Sequence, residues 1–319
     1  MRPTDKSLFQ RLPLQYIGLI LANAVIIVVM ASRYGEFLSP FNIEVTLMSF
    51  LPEAIMSLGM TLVIITGGID LSISAVLPMA AIAAAMGMNA GLHWGLAVAI
   101  ALVASIAIGL VNAKLINLLR VHPFIVTMAM MLTLKGFNLA ITDGRTLFGF
   151  PDPFQEMGQG YLWEIPIPMY FFAVLAVLAA VFLGCNRYVR QVYFIGGNER
   201  AARLSGIRVE RMRYFVYGLC SLLAGVAGVI VAAQYGAANN SFGQNAEMKV
   251  ITSVAVGGAS LSGGSGTILS TLLGVLFLAV VNGSFVMTGI STYWQDIVNG
   301  GMLLLAVLVG EFVFNRRRK

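Results

Sequence analysis

Charge is what this chain has least of. Of 319 residues only 11% are Asp, Glu, Lys or Arg, while 58% are hydrophobic, and a soluble domain carries about 25% charged residues. So few charges cannot cover a water-exposed surface, and with a mean hydropathy of +0.86 the chain must be solvated mostly by lipid. Two histidines and two cysteines without a C-x-x-C spacing leave no metal-site signature. Cys185 and Cys220 flank a basic segment expected on the reducing side of the membrane, where a disulfide is not expected. No G-x-x-x-x-G-K-[ST] sequence occurs, so the chain lacks a P-loop for ATP. No Ser-His-Asp set or carboxylate pair stands out, which argues against a membrane enzyme. Ionisable residues inside apolar runs are few: Glu53, Lys135 and Asp296. Ion-coupled pumps keep buried carboxylates despite their cost in lipid, so an energy source outside this chain fits better than an ion-coupled secondary transporter, which remains the alternative.

What is present are long charge-free runs. Arg11 to Arg33 encloses 21 such residues, Asp70 to Lys114 43, Glu164 to Arg187 22, Arg213 to Glu247 33 and Lys249 to Asp296 46. A helix needs roughly 20 residues to cross the hydrocarbon, so the two longest runs hold two spans each, broken at 89–93 and 257–266. The expected spans are 12–32, 45–66, 71–88, 94–113, 123–142, 165–184, 213–234, 249–263, 266–287 and 293–313. Ten spans are expected, with eight or nine as the alternatives, because the eighth is short and glycine-rich. The first has no small-residue cleavage site after it and reads as a retained helix. The fold class is therefore all-α membrane protein, a single membrane-embedded unit over 1–319.

Lys and Arg collect in cytoplasmic loops. The N-terminal stretch 1–11, the segment 185–213 with seven Arg, and the tail 314–319 are basic, whereas 143–164 carries four acids against Arg145. Ten spans place both termini and 185–213 in the cytoplasm and 143–164 outside. Tyr161, Trp163, Tyr293 and Trp294 fit interfacial belts. The net charge of +6 is spread over several loops and reads as a topology signal, not a nucleic-acid surface.

Three motifs stand out. Gly67-Gly68-Ile69-Asp70-Leu71-Ser72 lets the backbone leave a helix, with Asp70 and Ser72 able to accept from the next helix's free N–H groups. It reads either as a capped turn or as a broken helix lining a pathway. Gly257-Gly258-Ala259-Ser260-Leu261-Ser262-Gly263-Gly264-Ser265-Gly266 echoes it in register, which marks a weak internal repeat. Asn112 and Asn282 form a fainter echo. Close helix packing or a re-entrant turn fits this motif, and with no following Lys it is not a phosphate loop. In 196–207, Glu199 and Arg203 stand i, i+4 on a short helix that Gly206 would end, and Ala201 and Ala202 leave a slim face for a partner's groove. A solvated positive loop is the other reading.

These motifs, with the run from Phe124-Ile125-Val126-Thr127 to Gly144-Arg145, occur in the order found in sugar permeases of the ribose/xylose/arabinose type, and the chain resembles that family from about 45 to 310. The resemblance implies a type II importer-like fold in a bacterial plasma membrane and a channel built from two permeases, identical or paralogous. It also implies two cytoplasmic ATPase subunits carrying ATP and Mg, and a sugar-binding protein on the outer side, periplasmic in Gram-negative bacteria. The chain itself would bind no cofactor. The family's coupling helix maps onto Gly197, Asn198, Glu199, Ala201, Ala202, Arg203, Gly206 and Ile207. Glu53, Gly68, Asp70, Asn112, Phe124 and Thr127 are expected along the pathway, and Gly257, Gly258, Gly263 and Gly264 as a structural glycine motif. The chain departs from the pattern at Ile73-Ser74, where Val-Gly is usual, at Ser270 before Thr271, and at Lys249, where an acid is frequent.

Overall fold

The computed structural model describes residues 14–317; the basic stretch 1–11 and the last two residues of the tail lie outside the described residues. The chain is helical almost throughout. Helices α1 (Leu14–Arg33), α2 (Pro40–Ile65), α3 (Ile73–Asn89), α4 (Trp94–Leu119) and α5 (Pro123–Thr142) are followed by the short α6 (Asp152–Gln159) and a two-stranded hairpin of β1 (Tyr161–Leu162) and β2 (Ile165–Pro166). Then come α7 (Ile167–Cys185), the short α8 (Gln191–Gly197) and α9 (Glu199–Leu204), α10 (Val209–Tyr235), α11 (Ala246–Val256), α12 (Ile268–Met287) and α13 (Thr292–Arg317). Each of the ten expected spans overlaps one helix, in order. Among the described residues seven helices are long and apolar enough to cross a membrane, and α3 is a shorter apolar one.

The helix ends follow local chemistry. Ser39 accepts from the Asn42 N–H at 3.2 Å and Pro40 opens α2 with a ring that suits the first turn. Both histidines of the chain serve as N-caps: His93 Nδ1 accepts from Gly95 N and His122 Nδ1 from Phe124 N. Arg120, Asp143 and Gly236 end α4, α5 and α10 in the left-handed conformation.

Burial sorts the helices into an interior and a rim. α2, α3 and α10 form the centre, with α4 laid across α3 and α10. Small residues let the central backbones approach: a methyl at Gly59 would lie 2.8 Å from the Cys220 Cα, and at Gly109 or Gly228 it would overlap the carbonyls of Tyr217 or Leu77. Cys220 is therefore a buried small packing residue. The rim helices α1, α4, α5 and α7 turn residues such as Val25, Val103, Leu132 and Val177 outward, a surface that suits lipid.

The eighth expected span is corrected in detail. α11 has 11 residues, about 16 Å at 1.5 Å per residue, roughly half the hydrocarbon thickness. The chain then runs without helix to Ile268. Gly258, Gly263, Gly264 and Gly266 all have positive φ there, a conformation that ends a helix. α6 and α8 were not expected, because helices of eight and seven residues are too short for periodicity to show.

Candidate functional site: a glycine junction at the base of the basic segment

One end of the bundle carries α8 and α9 between α7 and α10. Asn198 caps α9 by accepting from Ala201 N at 2.9 Å, and Gly206, at φ 85°, terminates it. The i, i+4 pair forms, with Arg203 Nη2 2.9 Å from Glu199. It belongs to a larger network: Arg203 also meets Glu210, and Arg213 reaches Glu199 at 2.6 Å and Asn117 Oδ1 at 3.2 Å. These groups and Arg120 line a cavity of about 720 Å³ between α9 and the end of α4. The guanidiniums of Arg203 and Arg213 thus hold α9 to its own bundle. Arg200, Ala201 and Leu204 point outward, Leu204 being 84% exposed, and Gly197, Asn198 and Gly206 are exposed beside them. Glu199 and Ile207 are half-buried. Ala202, expected on the slim outer face, is only 4% exposed and faces the bundle, so the outer face is narrower than its spacing implied.

The three glycine motifs, far apart in sequence, meet behind α8. Gly264 N–H donates to the Ile65 carbonyl at 2.8 Å, joining the α11–α12 loop to the end of α2. A methyl at Gly263 would lie 2.9 Å from Gly196 Cα, Gly196 O and Gly67 N. At Gly196 it would overlap the Ile65 carbonyl and come within 2.5 Å of Gly264 N. Tyr193 Oη donates to the Gly266 carbonyl at 2.8 Å. Backbone thus meets backbone from α2, α8 and the α11–α12 loop, and only glycine fits. Gly257 plays a separate part, admitting the backbone of Ser270 and Thr271, while Gly258 is needed for its φ of 90°. Sequence reasoning passed over Gly196; its only signal was that each motif carries paired glycines.

Four of the expected pathway residues are brought together at the α2–α3 turn. Asp70 Oδ1 accepts from Ser72 N (3.0 Å) and Ser72 Oγ (2.5 Å), and Asn112 Nδ2 donates to Ser72 Oγ at 2.9 Å. Thr127 Oγ1 donates to the Ile69 carbonyl at 3.2 Å, and Gly68 leaves room for the Tyr217 hydroxyl. Asp70, Asn112 and Thr127 are fully buried. Asp70 closes the turn by accepting from Ser72, but neither side chain accepts from an N–H of α3 as expected, and Ser72 donates to Asp70 instead. Asp70 Oδ2, Asn112 Oδ1 and Tyr217 Oη have no partner among the described residues, so the cluster is polar and incompletely satisfied there. The fainter echo does not extend to contacts: Asn282 pairs with Asn299 on α13.

The other two lie elsewhere. Phe124 is 40% exposed on α5. Glu53 sits roughly 18 Å up α2 from its end, 3.7 Å from Lys249 Nζ on α11, whose ammonium lies 5.9 Å from the centre of the Phe50 ring. The departure at Lys249 therefore has a local partner. Glu247, which matches a Glu of the family pattern two positions before Lys249, is buried with Oε2 unpartnered among the described residues.

The comparisons with known proteins agree with this architecture. The chain is 35% identical over 298 residues to the ribose import permease protein RbsC of Bacillus subtilis strain 168, covering 93% of this chain and 92% of the relative. It is 38% identical over 294 residues to the Escherichia coli K12 protein of the same name, covering 91% and 92%. The xylose transport system permease protein XylH of Haemophilus influenzae is 30% identical over 359 aligned positions, covering 92% and 95%. No solved structure matches the chain. A family model matches residues 42–307, from the start of α2 into α13 and through all three glycine motifs, and the chain belongs to that family, described as the permease component of branched-chain amino acid transport systems.

Proposed function

We propose that this protein is the membrane-spanning permease subunit of an ATP-driven, binding-protein-dependent importer for a sugar or sugar-like polyol. The observation that carries the reading is similarity to ribose and xylose permeases along more than nine-tenths of the chain. As a permease component it is not an enzyme; ATP and Mg belong to partner ATPase subunits. Two permeases, identical or paralogous, enclose the pathway, and a binding protein delivers the sugar from outside. The ten expected spans cross a bacterial inner membrane, with α11 and its glycine loop completing one crossing together, and both termini and 186–208 on the cytoplasmic side. The basic loops support that orientation.

In this mechanism α9 is the coupling helix. Its outward face of Arg200, Ala201 and Leu204 docks on the ATPase, and its inward face is tied to α10 and α4 by Arg203 and Arg213. Movement of α9 reaches α2 and the α11–α12 loop through the glycine junction, because backbone contacts without intervening side chains do not absorb displacement by rotamer change. ATP binding at the partner then biases one of two states of the dimer.

The test is co-reconstitution with the ATPase and binding protein in vesicles. Sugar uptake should require ATP and all components, and the isolated permease should bind no ATP. Uptake by the permease alone under an ion gradient would instead establish a secondary transporter.

A further inference from the structure

At the end of the bundle opposite α9, the first turns of α2, the short α6, the β-hairpin and the last turn of α10 enclose a cavity of about 330 Å³. Its polar lining consists of Glu44, Ser49, Gln159, Tyr161, Gln234 and Tyr235. We propose that this cavity is a binding subsite for a single neutral sugar ring, the first contact a substrate makes with the permease. The inference rests on the importer reading above, which places this end of the bundle outside.

The walls are fixed before any ligand arrives. Tyr161 Oη donates to the Glu44 carboxylate, tying the hairpin to α2. Gln159 Nε2 donates to the carbonyls of Ala233 and Gln234 at 3.3 and 3.2 Å. Gly158 lets α6 lie directly on α10, since a methyl there would come within 2.7 Å of Ala233 Cβ and overlap the Gln234 amide. Ser49 Oγ donates to Thr46 O at 2.9 Å. These commitments leave free acceptor capacity on residues that line the cavity: the second carboxylate oxygen of Glu44, Oε1 of Gln159 and the lone pairs of Ser49. Gln234 adds an amide, and the exposed rings of Tyr161 and Tyr235 add apolar faces.

That combination selects a chemical class. Hydroxyl-rich rings present donors around the edge and C–H faces above and below, which match acceptors and aromatic faces in one small cavity. Among the described residues no Lys, Arg or His lines the cavity, while Glu44 does, so an anionic sugar phosphate or carboxylate is disfavoured. The volume is at the small end of ligand pockets, about 300–1,000 Å³, which suits one ring. The location also indicates water: a carboxylate and two amides turned toward hydrocarbon would be costly, so this part of α2 borders an aqueous space even though Val45 in the cavity wall and Phe41 next to it are exposed.

The test uses the full transporter with Cys185 replaced by Ser, leaving Cys220 buried. Ser49→Cys should react with a membrane-impermeant maleimide added from outside more than about tenfold faster than Val103→Cys on the lipid-facing side of α4. D-ribose or D-xylose at high concentration should slow that reaction, and ribose 5-phosphate should not. Glu44→Gln should raise the sugar concentration for half-maximal uptake about tenfold, the expected loss of a charge-assisted hydrogen bond. The subsite is overturned if Ser49→Cys is unreactive from outside, if neither sugar protects it, or if ribose 5-phosphate protects equally. Absence of ATP-dependent uptake in the unsubstituted transporter would instead overturn the importer reading, while the labelling still reports on the cavity.

Discussion

Gly196→Ala, compared with Gly197→Ala, tests the junction most directly, because the two neighbours differ only in what surrounds them. A methyl on Gly196 would overlap the Ile65 carbonyl oxygen and lie 2.5 Å from Gly264 N, and neither obstacle is a side chain that can rotate away. The methyl must push α8 off the end of α2 or break the 2.8 Å bond between Gly264 N–H and Ile65 O. Overpacking costs about 1–3 kcal/mol and a lost buried backbone hydrogen bond about 1 kcal/mol, so about 2–4 kcal/mol is expected. A methyl on Gly197 meets nothing within 4 Å and no left-handed φ opposes it; alanine there in a helix is neutral or favourable by about 0.5–1 kcal/mol. The assays are thermal unfolding of the purified permease and substrate-stimulated ATP hydrolysis by the complete transporter. Gly196→Ala should lower the melting temperature and weaken stimulation, and Gly197→Ala should leave the melting temperature unchanged. If the two variants behave alike, the close approach of α8 to α2 and to the α11–α12 loop is wrong.

Three further substitutions probe other links. Lys249→Ala leaves the Glu53 carboxylate half-buried without its cation and should destabilise the protein by about 3 kcal/mol; adding Glu53→Gln should restore most of that loss, and a double variant as unstable as the single would show that the pair does not interact. Arg213→Gln removes the contacts to Glu199 and Asn117. At partial exposure it should cost about 1 kcal/mol and speed hydrogen exchange in α9, and unchanged exchange would mean the network does not hold the helix. Ala201→Glu should abolish ATPase stimulation with an unchanged melting temperature, whereas Ala202→Glu should lower the melting temperature, because Ala201 is exposed and Ala202 is buried; the reverse pattern would invert the assignment of the two faces of α9.

Much of this architecture is legible in the chain because lipid is an unforgiving solvent. A charge inside hydrocarbon is costly, so charge-free runs trace the helices, and each of the ten expected segments overlaps one, the eighth only over its first half. Pro40, Pro123, Ser39, Asn198 and the two histidines act within four residues of themselves, so helix ends are written locally. The pairing of Glu199 with Arg203 and the stop at Gly206 are local for the same reason.

What the tertiary structure alone decided are contacts between segments with no shared period. Gly196 and Gly197 are the same residue type in the same motif, yet one is enclosed by the backbones of Ile65 and Gly264 and the other is open. Lys249 stands out in sequence only as a departure from a pattern, and the fold supplies Glu53 as its partner. Gly68, Asp70, Asn112 and Thr127 come from the α2–α3 turn and two helices, and meet because α4 and α5 pass the point where α2 ends. The cavity lined by Glu44, Gln159 and Gln234 draws on residues separated by at least 75 positions, none in a motif. Composition and local spacing determined that the chain lies in a membrane and where its long helices run, but not the short α6 and α8 or the early end of α11. Packing decided which glycines must stay glycine and which polar groups face one another, because those depend on the distance between backbones that no stretch of sequence contains.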